Sequence, residues 1–126
     1  MPSLVFWTQG LIIFEPINNY PLTVNDAAAT AKIAEAFKAH FGEDAFECPP
    51  VGASEDFGRF GLAFGSPYVY WFVGGTDQAK FDAAAKANTV AALPGPHSPF
   101  WAPALHPTLR TGIETMLLAA GAWLAK

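Results

Sequence analysis

The chain has 126 residues and a formal net charge of −4, with 52% hydrophobic, 14% aromatic and only 14% charged residues, against about 25% charged in an ordinary globular domain. The length suits one domain, and so few charges leave apolar surface for another domain, a partner or a second copy to cover. Scattered lysines and arginines argue against nucleic-acid binding, and no apolar run approaches the ~20 residues that span a bilayer.

Near the start, the apolar runs from Leu4 to Trp7 and from Leu11 to Phe14 are split by Thr8-Gln9-Gly10 and closed by Pro16. That pattern predicts two strands or one broken strand. At Asn25 a capping residue opens a helix with Asp26 in its first turn, Ile33, Phe37 and Phe41 four apart, and Gly42 as its stop. Ala45 to Cys48 predicts a short strand ended by Pro49-Pro50, and Ser54 then N-caps a short helix through Phe60. Pro67 to Val73, PYVYWFV, has the β-branched and aromatic composition of a buried strand, with Gly74-Gly75 as its brake. Thr76 or Asp77 caps a helix to about Ala87, with Phe81 and Ala84 or Ala85 facing inward. Pro107 opens the last helix, whose stripe of Ile113, Leu117, Ala120 and Leu124 is widened by Trp123. Strands alternating with helices predict an α/β layered architecture.

Chemistry concentrates in the loop from Leu93 to Pro103, LPGPHSPFWAP, where four prolines (Pro94, Pro96, Pro99 and Pro103) stiffen the chain around His97. An imidazole presented on a rigid loop is a candidate metal ligand or general base. One ligand makes no metal site by itself, and the bland alternative is a structural histidine bonded to a backbone carbonyl.

Gly52-Ala53-Ser54-Glu55-Asp56-Phe57, then Pro96-His97-Ser98-Pro99-Phe100-Trp101-Ala102-Pro103, then Pro107-Thr108-Leu109-Arg110-Thr111-Gly112 occur in that order. Together they resemble the metal-dependent amidohydrolase family of hippurate hydrolases, indole-acetyl-amino-acid hydrolases and aminoacylases, which also includes related carboxypeptidases. Pro21-Leu22-Thr23-Val24-Asn25-Asp26 resembles that family's return from its lid domain. The resemblance implies that residues 21–126 are the C-terminal part of the catalytic domain, and that residues 1–20 are a poorly matched leader or the end of a lid-domain strand. It implies a zinc-peptidase-like mixed sheet flanked by helices. It further implies two divalent ions, Zn or Mn, and hydrolysis of the amide bond of a small N-acyl amino acid by metal-bound water.

On the same resemblance, His97 holds the place of the last metal ligand, and Glu55 and Asp56 lie near the active site in substrate contact or in support of the metal loop. The family's other ligands and its glutamate base lie upstream in motifs this sequence lacks. The expectation is therefore a chain inactive alone, whose partner is the missing N-terminal half of the catalytic domain or another copy of itself. A non-catalytic, self-associating α/β interaction module derived from that scaffold is the alternative.

Plainer readings accompany the other chemical residues. Ser54, Glu55 and Asp56 also read as an N-cap with acids in a first helical turn. His106, just before Pro107, is a helix-start residue, and His40 suits the C-terminal end of its helix, facing solvent. Gly74-Gly75-Thr76 is a turn without the lysine of a phosphate loop. Tyr68, Tyr70 and Trp71 are core strand residues before they are pocket residues. Cys48, the sole cysteine, has no disulfide partner and no basic neighbour to activate it, which suggests a buried, inert thiol in a reducing cytoplasm.

Overall fold

The computed structural model describes residues 19–53 and 55–124, and the chain divides into two compact units. One contains the stretch up to Val24 with Val51–Ser66; the other contains Asn25–Pro50 and everything from Pro67 onward. The expectations for Leu4 to Trp7, for Leu11 to Phe14 and for the Ser54 cap lie outside the described residues.

In the first unit, helix α2 (Gly58–Phe64) follows an irregular stretch and ends at Gly65, whose left-handed φ of 60° and ψ of 31° favour glycine. The helix starts three residues later than Glu55, whose Oε1 accepts the backbone N–H groups of Asp56 and Phe57, both at 2.9 Å. Its buried residues are Gly58 and Gly61, while Phe60, Leu62 and Phe64 are exposed. The Arg59 guanidinium donates to the Asn19 carbonyl and lies 5.0 Å from the centre of the Tyr20 ring.

In the second unit, α1 (Ala27–Phe41) forms where the sequence predicts a helix, with one shift at its start. The cap is Asp26, whose carboxylate accepts the Ala29 N–H at 2.8 Å. Gly42 stops the helix at φ 60° and donates its N–H to Lys38 O. Helix α3 (Gln78–Lys86) is capped by Asp77, which accepts the Lys80 N–H at 3.1 Å, and buries Ala84, while Phe81 is 43% exposed. The last helix, α4 (Leu105–Leu124), breaks helical geometry at His106, with φ −120° and ψ 131°, so that the regular helix opens at Pro107. A residue before proline is pushed toward extended backbone, and proline suits the first helical position.

Helices α1 and α4 run antiparallel against one another. Lys32 Nζ lies 4.3 Å from the centre of the Trp123 ring, and His40 Nε2 lies 3.6 Å from Glu114 Oε2, so partner numbers fall as α1 numbers rise. The buried side chains on these helices are Ala29 and Ile33 on α1 and Thr115 and Ala119 on α4. Small residues at a crossing let two helix backbones approach closely, and Ile33 is the one bulky aliphatic group among these four.

The α/β mixed sheet is not formed. Helices make up 54% of the structure, and among the described residues there is no strand. Ala45 to Cys48 is irregular, beginning at Ala45 with an N–H bond to Gly42 O. Pro67 to Val73, expected as a buried sheet strand, runs without turn or bend, and among the described residues no strand lies beside it. A strand is defined by the backbone ladder it shares, and a strand-like sequence with no neighbouring strand remains an extended segment.

That segment is held by side chains and a helix end. Asn25 makes a two-point bond to Tyr70: its Nδ2 donates to Tyr70 O and its Oδ1 accepts from Tyr70 N, both at 2.8 Å. Asp26 N donates to Tyr68 O at 3.0 Å. Trp71 packs edge-on against Phe37 of α1, with ring centres 5.5 Å apart. Tyr68, Tyr70 and Trp71 are thus half-buried rather than core residues.

Candidate functional site

The His97 loop is built from proline geometry and one serine. After a single 3-10 turn (Val90–Ala92), the chain reaches Pro94 and then a tight turn in which Ser98 N donates to Gly95 O at 2.8 Å. Pro96 and His97 occupy the two central places of that turn, and proline's fixed φ suits the first of them. Ser98 continues the bracing: its hydroxyl accepts the Phe100 N–H at 3.2 Å, and its carbonyl accepts the Trp101 N–H at 3.1 Å. His97 is left exposed at the tip, and its ring has no hydrogen-bond or ion-pair partner among the described residues.

Trp101 fixes the far side of the loop. A methyl group built on Gly75 would lie 2.8 Å from Trp101 Cζ2, so the indole fills the space where any other residue would carry a side chain. Ala104 N donates to Gly75 O at 2.9 Å, and the Thr108 hydroxyl donates to Gly74 O at 3.1 Å. The Gly74-Gly75-Thr76 turn is therefore a dock for the loop and for the start of α4. Phe100, in contrast, is 87% exposed, so the loop is less crowded by aromatics than its sequence suggests.

The other candidates each have their own local setting. Glu55 and Asp56 belong to the first unit and His97 to the second. Glu55 is engaged in the local turn described above, and Asp56 contributes its carbonyl to the Arg59 N–H at 3.0 Å. His106 sits at the break that opens α4, and Cys48 is exposed rather than buried. His40 is about half-exposed and faces Glu114, which Arg110 Nε also bonds at 2.7 Å. That hydrogen bond holds the Glu114 carboxyl below its usual range, with partial burial opposing the shift and His40 adding to it, and it raises Arg110 in return.

Among the described residues, no group of three or more His, Cys, Asp or Glu side chains is placed to hold a metal ion. These residues alone do not supply the donor set of a two-ion centre. No helix of the described residues is long and apolar enough to cross a membrane.

Two features escaped the sequence reading. Asn25 organises the extended segment instead of capping α1, and its signal was the adjacent Asp26, an equally good cap. An open apolar trough of about 590 Å³ runs along α4, lined by residues including Leu105, Leu109, Ile113, Met116 and Leu117. Its periodicity was legible, but its solvent-facing side was not. No protein-family model matches the chain, and no solved structure matches it.

Proposed function

We propose that this chain is the C-terminal part of a metal-dependent amidohydrolase acting on N-acyl amino acids, inactive by itself and contributing His97 as one ligand to a centre completed by another polypeptide. Support comes from the three ordered motifs and from one observation: the turn braced by Ser98 projects an otherwise unengaged imidazole from a proline-stiffened loop. Glu55 Oε1 shapes the approach to α2 by accepting the Asp56 and Phe57 N–H groups, and in this reading Glu55 and Asp56 also contact substrate or support the metal loop. The divalent ions, when bound in the completed enzyme, supply Lewis acidity and an activated water. The work of this chain is to hold the His97 ring at a fixed reach from Trp101. A cytoplasmic setting fits the exposed lone thiol of Cys48.

The test is an assay of the purified chain with Mn²⁺ or Zn²⁺ on hippurate-type substrates, alone and mixed with a polypeptide carrying the family's upstream ligand motifs. The expected result is no turnover alone, turnover in the mixture, and its loss in His97→Ala. Turnover that survives His97→Ala, or a mixture that stays inert while the two polypeptides bind each other, overturns the reading.

A second reading, a non-catalytic module that associates through apolar surface, is favoured by the exposed stripe of α4, where Leu105, Leu117 and Leu124 are each about two-thirds exposed or more.

A further inference from the structure

The extended segment Pro67 to Val73 has one occupied edge and one open edge. In an extended chain, successive residues direct their backbone N–H and C=O groups to opposite sides. The edge defined by Tyr68 and Tyr70 is taken by Asn25 and Asp26. The opposite edge is defined by Val69, Trp71 and Val73, whose backbone N–H and C=O groups have no partner among the described residues. Side chains alternate by the same rule. Trp71 turns toward Phe37 of α1, while Tyr70 and Phe72 share the other face, edge-on with ring centres 5.3 Å apart, and Phe72 is 60% exposed.

We infer that this open edge pairs antiparallel with the same edge of a second copy of the chain, forming a closed dimer through a two-stranded, two-fold symmetric ladder centred on Trp71. The self-complementarity is on the segment itself. With Trp71 opposite its symmetry mate, Val69 meets Val73 and Val73 meets Val69, so the three unpartnered residues of each copy form three hydrogen-bonded pairs. The intervening pairs set Tyr70 against Phe72 of the other copy, in both directions, and cross-strand aromatic pairs are among the favoured ones. No charged residue lies between Arg59 and Asp77 to oppose an edge-to-edge approach.

The same geometry limits the assembly to two. Pro67 has no N–H to extend the ladder at one end, and at the other Gly75 O already accepts from Ala104 N. The far edge of each segment is occupied at Tyr68 O by Asp26 and at the Tyr70 N–H and C=O by Asn25, which stands against a third copy adding there. This inference goes beyond the amidohydrolase reading and makes no use of His97 or of a metal, so either can fail without the other.

The experiment is sedimentation of the full chain over a wide concentration range, followed by register-specific cross-linking. The expected species has twice the monomer mass. Val73→Pro, which removes one ladder donor, should return it to monomer with the helical circular-dichroism signal unchanged. For register, Tyr70→Cys and Phe72→Cys are each made on a Cys48→Ser background. Directly opposed non-hydrogen-bonded residues have Cα atoms about 4.5 Å apart, within disulfide range. Mixing the two variants should therefore give a disulfide-linked heterodimer at least tenfold more abundant than either homodimer. The mixed cross-link stands as the readout even if Val73→Pro fails to fold. A monomer at all concentrations, pairing only with a different extended polypeptide, open-ended fibres, or equal cross-linking within each variant alone overturns the inference.

Discussion

The two faces of α4 are opposites. Against α1 it buries Thr115 and Ala119, with Thr111 and Gly112 half-buried nearby; toward solvent it presents Leu109, Ile113, Met116 and Leu117, each more than half exposed. An apolar stripe of helical period says that a face is suited to burial, and it does not say which neighbour buries it. Here the neighbour within the unit is another helix, and close approach selects small residues. The bulky stripe is the face that a second helix did not take.

Four measurements break or sharpen that contrast. The largest effect belongs to Ile33→Ala, which removes the bulky aliphatic group from the α1–α4 contact and should lower unfolding free energy by about 2–4 kcal/mol in urea denaturation. A loss below about 0.5 kcal/mol would mean that the contact contributes little. Ala119→Leu should cost about 1–3 kcal/mol by overpacking the same contact, and a stabilised variant would show that the helices have room to separate. On the exposed face, Leu117→Ser should shift stability by no more than about 0.5 kcal/mol, as surface substitutions do. A multi-kcal loss there would place that leucine in a buried interface.

The smallest effect is electrostatic. Because the Arg110 hydrogen bond holds the Glu114 carboxyl below the unfolded value of about 4.3, its contribution is fully present above that pH and is lost as pH falls through the lower folded value. The melting-temperature gap between the native chain and Glu114→Gln at about pH 5 should close in stronger acid. A gap that widens below about pH 5 contradicts the assignment.

What was legible in the sequence was local. The helix-stop glycine after Phe41, the Asp77 cap and the proline at position 107 are short-range devices, and each works within one turn of where it is read. The strand expectation failed because Pro67 to Val73 carries only half of what a sheet requires; the other half is a neighbour, which no local pattern encodes. Capping at the start of α1 was ambiguous for a related reason. Asn25 and Asp26 are equally good caps, and only the arrival of Tyr70, 45 residues later, decides which of them turns away. The loop's rigidity was readable from its prolines and His97's exposure followed, whereas the set of groups that would join it around an ion was not readable at all.

The indole of Trp101 seated on Gly75 has a mechanical consequence. It lies four positions beyond His97, a leash of at most about 14 Å at full extension, and the serine-braced turn makes it shorter still. The imidazole's territory is thus surveyed from the end of the aromatic strap, and a Gly75→Ala substitution would move the peg from which that leash is measured.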